Sequence, residues 1–270
     1  IAIEGQLLGG AFAGAVIASV AGNAWVGVLG AIAVGVLLGW VLAVLAIRYR
    51  VDQIIIGVVI NMFVLGLTSF LMLRVLAENR HLNQPPTLRS WRIPGLGDIP
   101  FIGPILFDQT VFVYGSLILV AVLAYGLFHT RWGLRARSVG EHPRAADTVG
   151  INVYRYRYLN VLLGGAVAGF GGAYFTIGTV GRFDENMTTG RGFIALAAMI
   201  FGRWHPVGAL SAGLIFGFAD ALAGKLGVLQ TGIPSEFLLM APYLLTLIVV
   251  TGIIGRARPP AADGAVYEKE

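Results

Sequence analysis

The chain has no cysteine, so disulfide frameworks and thiolate metal sites are both excluded. Its four histidines, His81, His129, His142 and His205, include no pair four residues apart, and a zinc-binding helix motif is absent. No Gly-x4-Gly-Lys-Ser/Thr run occurs, so the chain cannot cradle nucleotide phosphates in the usual way by itself. No serine or cysteine nucleophile has an evident base partner. Charge is scarce as well, at 12% of residues against about 25% in an average soluble domain. The net charge of +5 is carried by basic residues in short segments between apolar runs, where such residues orient a membrane protein rather than bind nucleic acid.

What remains is apolar: 57% hydrophobic residues and 38 glycines. A bilayer core about 30 Å thick needs about 20 residues of helix, and the uncharged runs match that length. They are Gln6 to Gly22, Ala24 to Ile47, Gln53 to Leu73, Thr110 to Phe128, Leu159 to Val180, Val207 to Ala223 and Phe237 to Ile254. Gly192 to Gly202 is too short for a straight crossing and reads as a broken or tilted helix. The expected fold is all-α, a polytopic transmembrane bundle of about eight membrane elements spanning residues 1–255.

If all eight elements cross, one side collects 12 of the Lys and Arg residues and the other 7. The richer side, with Arg131, Arg135, Arg137, Arg144, Arg155 and Arg157, is then cytoplasmic by the positive-inside rule, and so is the C-terminus. The opposite side carries a long external loop, 77–109, whose Trp91, Phe101 and Phe107 fit a cap or a segment lying on the membrane surface. The proline-bearing polar stretch 256–270 reads as a disordered cytoplasmic tail.

Small residues recur four apart, at Gly5 and Gly9, Gly10 and Gly14, Gly35 and Gly39, Gly165 and Gly169, and Gly213 and Gly217. In lipid this spacing lets helix backbones approach closely. Ionisable groups inside the spans are nearly absent: Glu4, Asp220 and Glu236 alone come near, close to span ends. That scarcity counts against an ion-coupled secondary carrier, which places such groups at membrane depth. Asn61 is the strongly polar side chain in mid-span, and Thr68, seven residues on, shares its face. The two are candidates for a path lining neutral polar solutes, or for simple helix-to-helix hydrogen bonds.

The loop 130–158 contains "VGEHPRAADTVGINVYRYRY", a basic island between two greasy spans. A short helix can begin at Pro143, because proline is tolerated in a first turn, and stop at Gly150. Glu141, His142, Arg144 and Asp147 would then face outward, with Ala145, Ala146 and Val149 toward a partner groove or the protein body. The island is either a handle for a partner or a plain solvated connection.

"SVGEHPRAADTVGINVYRYRYLNVLLGGAVAGFGGAYF" resembles the coupling segment and following helix of permeases in the ATP-binding-cassette importer family for branched-chain amino acids, simple sugars and nucleosides. Gly140, Ala145, Ala146, Gly150 and Ile151 carry the likeness. "GRGFIALAAMIFGRWHPVGALSAGLIFG", 190–217, is similar to the family's second stretch, with Arg203 where many relatives have a glycine. "IAIEGQLLGGAFAG" and "VDQIIIGVVINMF" look like the nucleoside branch. The resemblance implies a transport subunit rather than an enzyme, with residues Gly140 to Asp147 and Gly150 coupling to a cytoplasmic ATPase. It also implies a second permease subunit, an external substrate-binding protein, and ATP with Mg bound by the partner subunits, this chain holding no cofactor. Family members carry a further span before the "IEG" motif. The implied cargo is nucleosides first, simple sugars or branched-chain amino acids next.

Overall fold

Capping side chains and glycines set the helix limits in the computed structural model, which describes residues 1–88, 90–95, 97–100, 103–228, 240 and 258–269. Helix α1 (Ile3–Ala21) ends at Gly22, whose φ of 63° suits a residue without a side chain. Asn23 then opens α2 (Ala24–Ala43) by accepting from the Trp25 amide. Asp52 opens α3 (Gln53–Leu71) in the same way, accepting from the Ile54 and Ile55 amides. Each of these two helices continues into a π-helical turn, giving apolar spans 24–48 and 53–76. After the long loop come α4 (Val111–His129), α5 (Arg131–Glu141), α6 (Pro143–Thr148) and α7 (Val153–Ala173), the last prolonged by a π-helical stretch to Val180. Helices α8 (Arg191–Phe201) and α9 (Pro206–Val228) complete the described bundle.

Among the described residues six helices are long and apolar enough to cross a membrane, and α8 is a seventh, shorter element. The fold is thus the expected all-α polytopic bundle, with one two-stranded ribbon in the long loop, β1 (Ser90–Arg92) antiparallel to β2 (Asp108–Thr110). The expected span from Phe237 to Ile254 lies outside the described residues apart from Met240. The fifth span starts at Val153 rather than Leu159, because Asn152 caps it and Arg155 and Arg157 remain helical; the island loop is therefore 130–152.

Helices α1, α2 and α7 pack along a glycine seam. A methyl group on Gly10 would stand 2.9 Å from the Gly169 backbone, and one on Gly172 would stand 2.7 Å from the Ala11 amide. Backbones this close pack by dispersion alone, which is the role glycine spacing predicts. The pair Gly213 and Gly217 differs: no described neighbour lies within 4 Å of a methyl group built on either.

The chain from Val180 does not stay at the ribbon end of the bundle. Phe183 is fully buried and stacks edge-on against Phe12 at 5.1 Å. Further on, Thr188 reaches Glu4, in the first turn of α1. From there α8 runs to the end that carries α5 and α6, where His205 lies 4.5 Å from the Phe128 ring in the last turn of α4. At 1.5 Å per residue its 11 residues cover roughly half the bilayer core. The short uncharged run is thus a half-helix.

The tail departs from its expected disorder. Tyr267 is buried in a cluster with Val139, Ala146 and Val153. The Ala262 amide donates to the Gly140 carbonyl at 2.9 Å, Arg157 donates to the Ala265 carbonyl at 2.7 Å, and Arg50 pairs with Glu268. One aromatic ring and a row of backbone bonds hold a composition that looks unstructured.

Candidate functional site

Two places in the bundle bring functional groups together. The first is a polar knot at membrane depth. Asn61, eight residues into α3, accepts from the Gly5 amide at 2.7 Å and donates to the Ile1 carbonyl at 3.0 Å. It clasps the start of α1, whose first amides have no partner within their own helix. Beside Gly5 in that clasp lies Glu4, buried. Its Oε1 accepts from the Thr188 hydroxyl at 2.6 Å and the Gly190 amide at 2.9 Å, and its Oε2 accepts from the Gly192 amide at 2.6 Å. One carboxylate thereby caps the N-terminus of α8, where the helix dipole and free amides favour negative charge. Gly192 is required there, since a methyl group on it would come within 2.5 to 2.7 Å of Glu4 atoms.

The segment leading into α8 is bent by three left-handed residues, Asn186 (φ 50°), Thr189 (φ 45°) and Gly190 (φ 84°). Such conformations are unfavourable for side-chain-bearing residues and persist where surrounding bonds over-determine them. The Glu4 bonds to Thr188, Gly190 and Gly192 do so here. Just after α8, Arg203 (φ 54°) and Trp204 (φ 59°) are also left-handed, which accounts for glycine being the easier residue in that turn.

Thr68 is buried at 3% exposure, and its hydroxyl donates within α3 to the Val64 carbonyl at 2.8 Å. Asn61 and Thr68 do share the face of α3 turned toward the protein, but each has its polar atoms engaged with backbone. Glu4 was passed over in the sequence because it stands near a span end. Its partners lie 184 to 188 positions away, so no local signal marks them.

The second place is the island. Thr130 caps α5 by accepting from the Gly133 amide at 3.2 Å. His142 ends α5, and Pro143 starts α6 as its first residue. Helix α6 stops at Thr148, and Gly150 follows with φ 81°, close to the limits read from the sequence. Ala146 alone of the six is buried; it faces Val139, Val153 and Tyr267. Glu141, His142, Arg144 and Ala145 are exposed, Asp147 is half-buried with Lys269 at 3.8 Å, and Val149 is 75% exposed. Ala145 and Val149 thus face away from the body of the protein. The Glu141 carboxylate accepts from the Ala261 amide at 3.3 Å, and the tail borders a groove of about 600 Å³ between α5, α7 and the α2–α3 turn.

Residues 1–257 match the family described as branched-chain amino acid transport system / permease component. The chain is similar to the guanosine ABC transporter permease protein NupQ of Bacillus subtilis, 43% identical over 281 residues that cover 100% of this chain and 87% of that one. It is 44% identical over 249 residues to the nucleoside ABC transporter permease protein NupC of Lactococcus lactis subsp. cremoris, covering 91% and 78%. With the glucose ABC transporter permease protein TsgB13 of Haloferax volcanii it shares 27% identity over 266 residues, 93% and 68% of the two chains. No solved structure matches. A bundle of apolar helices with a short exposed helix between two of them, matched along nearly its whole length, belongs to the permease family of ATP-binding-cassette importers.

Proposed function

We propose that this subunit forms part of the path of a nucleoside importer and is driven through α6. The observation that carries the driven mechanism is α6 itself. A six-residue helix is too short to be stable alone, yet it is held by Ala146 and Tyr267 with Ala145 and Val149 offered outward. That is the form of a lever tip, set in a cleft of a separate ATPase that binds ATP and Mg. Closing of the ATPase moves α6, and α5 and α7 carry the movement into the spans. The α5–α6 end is cytoplasmic on this reading, since the richer share of Lys and Arg lies there, and the tail that packs on it is cytoplasmic too. A second permease subunit completes the path, and a substrate-binding protein delivers solute to the ribbon end. The names of NupQ and NupC support nucleosides as cargo.

Proteoliposomes containing the permease pair, its ATPase subunits and its binding protein are expected to accumulate labelled guanosine on addition of ATP. Uptake of glucose or leucine in place of guanosine would overturn the substrate assignment. Uptake that continues without the ATPase would overturn the driven mechanism.

A further inference from the structure

The charged groups that meet at membrane depth are not those that the sequence singles out in α3. Arg191 opens α8 and Asp220 lies fourteen residues beyond Pro206 in α9, about 21 Å along the helix. Both therefore sit inside a hydrocarbon core about 30 Å thick. They pair at 3.3 Å, yet their side chains remain 44% and 58% exposed. Arg191 also donates to the Thr189 hydroxyl at 3.0 Å, and its guanidinium lies 5.7 Å from the centre of the Phe175 ring. Charged groups at this depth do not face lipid; they face protein or water.

The neighbourhood favours water. Glu4 takes up Thr188, Gly190 and Gly192, while Thr189 and Arg191, the alternate residues of the same turn, are exposed. Asp220 shares a helical stripe with Gly213, Gly217 and Gly224, and nothing described lies within 4 Å of a methyl group built on any of the three. Broken helices with their N-termini at mid-depth are also how transporters build solute sites.

We propose that Arg191, Asp220 and Phe175 form a solute-reading patch in the translocation path, an inference that rests on the permease reading above. The pair is neutral as a unit, which suits an uncharged solute. Asp220 accepts from hydroxyl groups, Arg191 donates to ring or carbonyl oxygens, and Phe175 offers a flat apolar face. Together they fit a neutral polyhydroxylated solute bearing a planar ring.

The test uses the complete importer in proteoliposomes with saturating guanosine-loaded binding protein, comparing wild type with Asp220→Asn, Arg191→Gln and the exchanged pair Arg191→Asp/Asp220→Arg. Expected is a fall in maximal uptake of about tenfold in each, with permease pairing, ATPase retention and melting temperature unchanged. The exchanged pair is informative because it keeps the ion pair and reverses its direction. Wild-type uptake in the exchanged pair, or in both single variants, would reduce the pair to a structural contact. Loss of permease pairing in the single variants would make it a subunit interface, and either result overturns the patch. If wild type carries a different neutral solute and the variants slow that solute, the nucleoside assignment falls while the patch stands.

Discussion

The knot around Glu4 and the island around α6 solve opposite problems with the same backbone. In the knot, three donors converge on one buried carboxylate and Asn61 holds the same first turn of α1. The Thr188 and Gly192 bonds to Glu4 are buried, so a lost partner there leaves an unsatisfied group. On the island, α6 buries a single alanine and leaves half of its six residues exposed. Its position depends on packing against α5, α7 and the tail rather than on its own hydrogen bonds. The comparison teaches where rigidity is needed and where a partner is invited: the knot fixes three elements to each other, and the island is shaped to be moved.

Breaking the knot should have the largest effect. Glu4→Ala strands the Gly190 and Gly192 amides and the Thr188 hydroxyl, and is expected to cost roughly 3 kcal/mol or more. Thermal melting in detergent would register this, and an unchanged melting temperature would remove Glu4 as the fastening point of α8. On the island, Tyr267→Ala removes the buried ring over Ala146, at about 2 to 3 kcal/mol of local packing. The expected readout is faster amide exchange in residues 143–148 with the spans unaffected; uniform acceleration would mean that the two regions are not independent.

Asn61→Ala loses two bonds at the start of α1 and is expected to destabilise by about 1 to 2 kcal/mol, less than Glu4→Ala in the same melt. Thr68→Val should be smallest, within about 1 kcal/mol, because its hydroxyl serves a carbonyl already bonded in its own helix. A Thr68→Val variant with sharply reduced uptake and normal melting would return that face of α3 to the path.

Much of the fold could be read in the sequence because bilayer thickness and charge placement act locally. Among the described residues uncharged runs marked the spans, apart from the early start of the fifth, Pro143 and Gly150 bracketed α6, and the 11-residue run before Arg203 was marked as too short for a straight crossing. The glycines of 162–175 were readable as a packing seam for the same reason, and Gly10 and Gly172 bear it out. What escaped were pairings over long sequence distances. Nothing near Glu4 points to Thr188, and nothing near Asn61 points to Ile1. The tail misled through composition, since prolines and charges mark disorder on average, whereas Tyr267, the backbone bond to Gly140 and the Arg157 side chain decide this case. Asp220 looked peripheral, close to a span end, until α8 proved to start at depth with Arg191 paired to it.

The central claim is that the chain is driven through α6, and retention of the ATPase on the purified permease tests it most directly. Ala146 is buried, so the informative substitutions are on the open side: Ala145→Arg with Val149→Arg, compared with wild type after both are shown to melt alike. The account predicts that wild type retains the ATPase and the double variant loses it. Equal retention by both would contradict it.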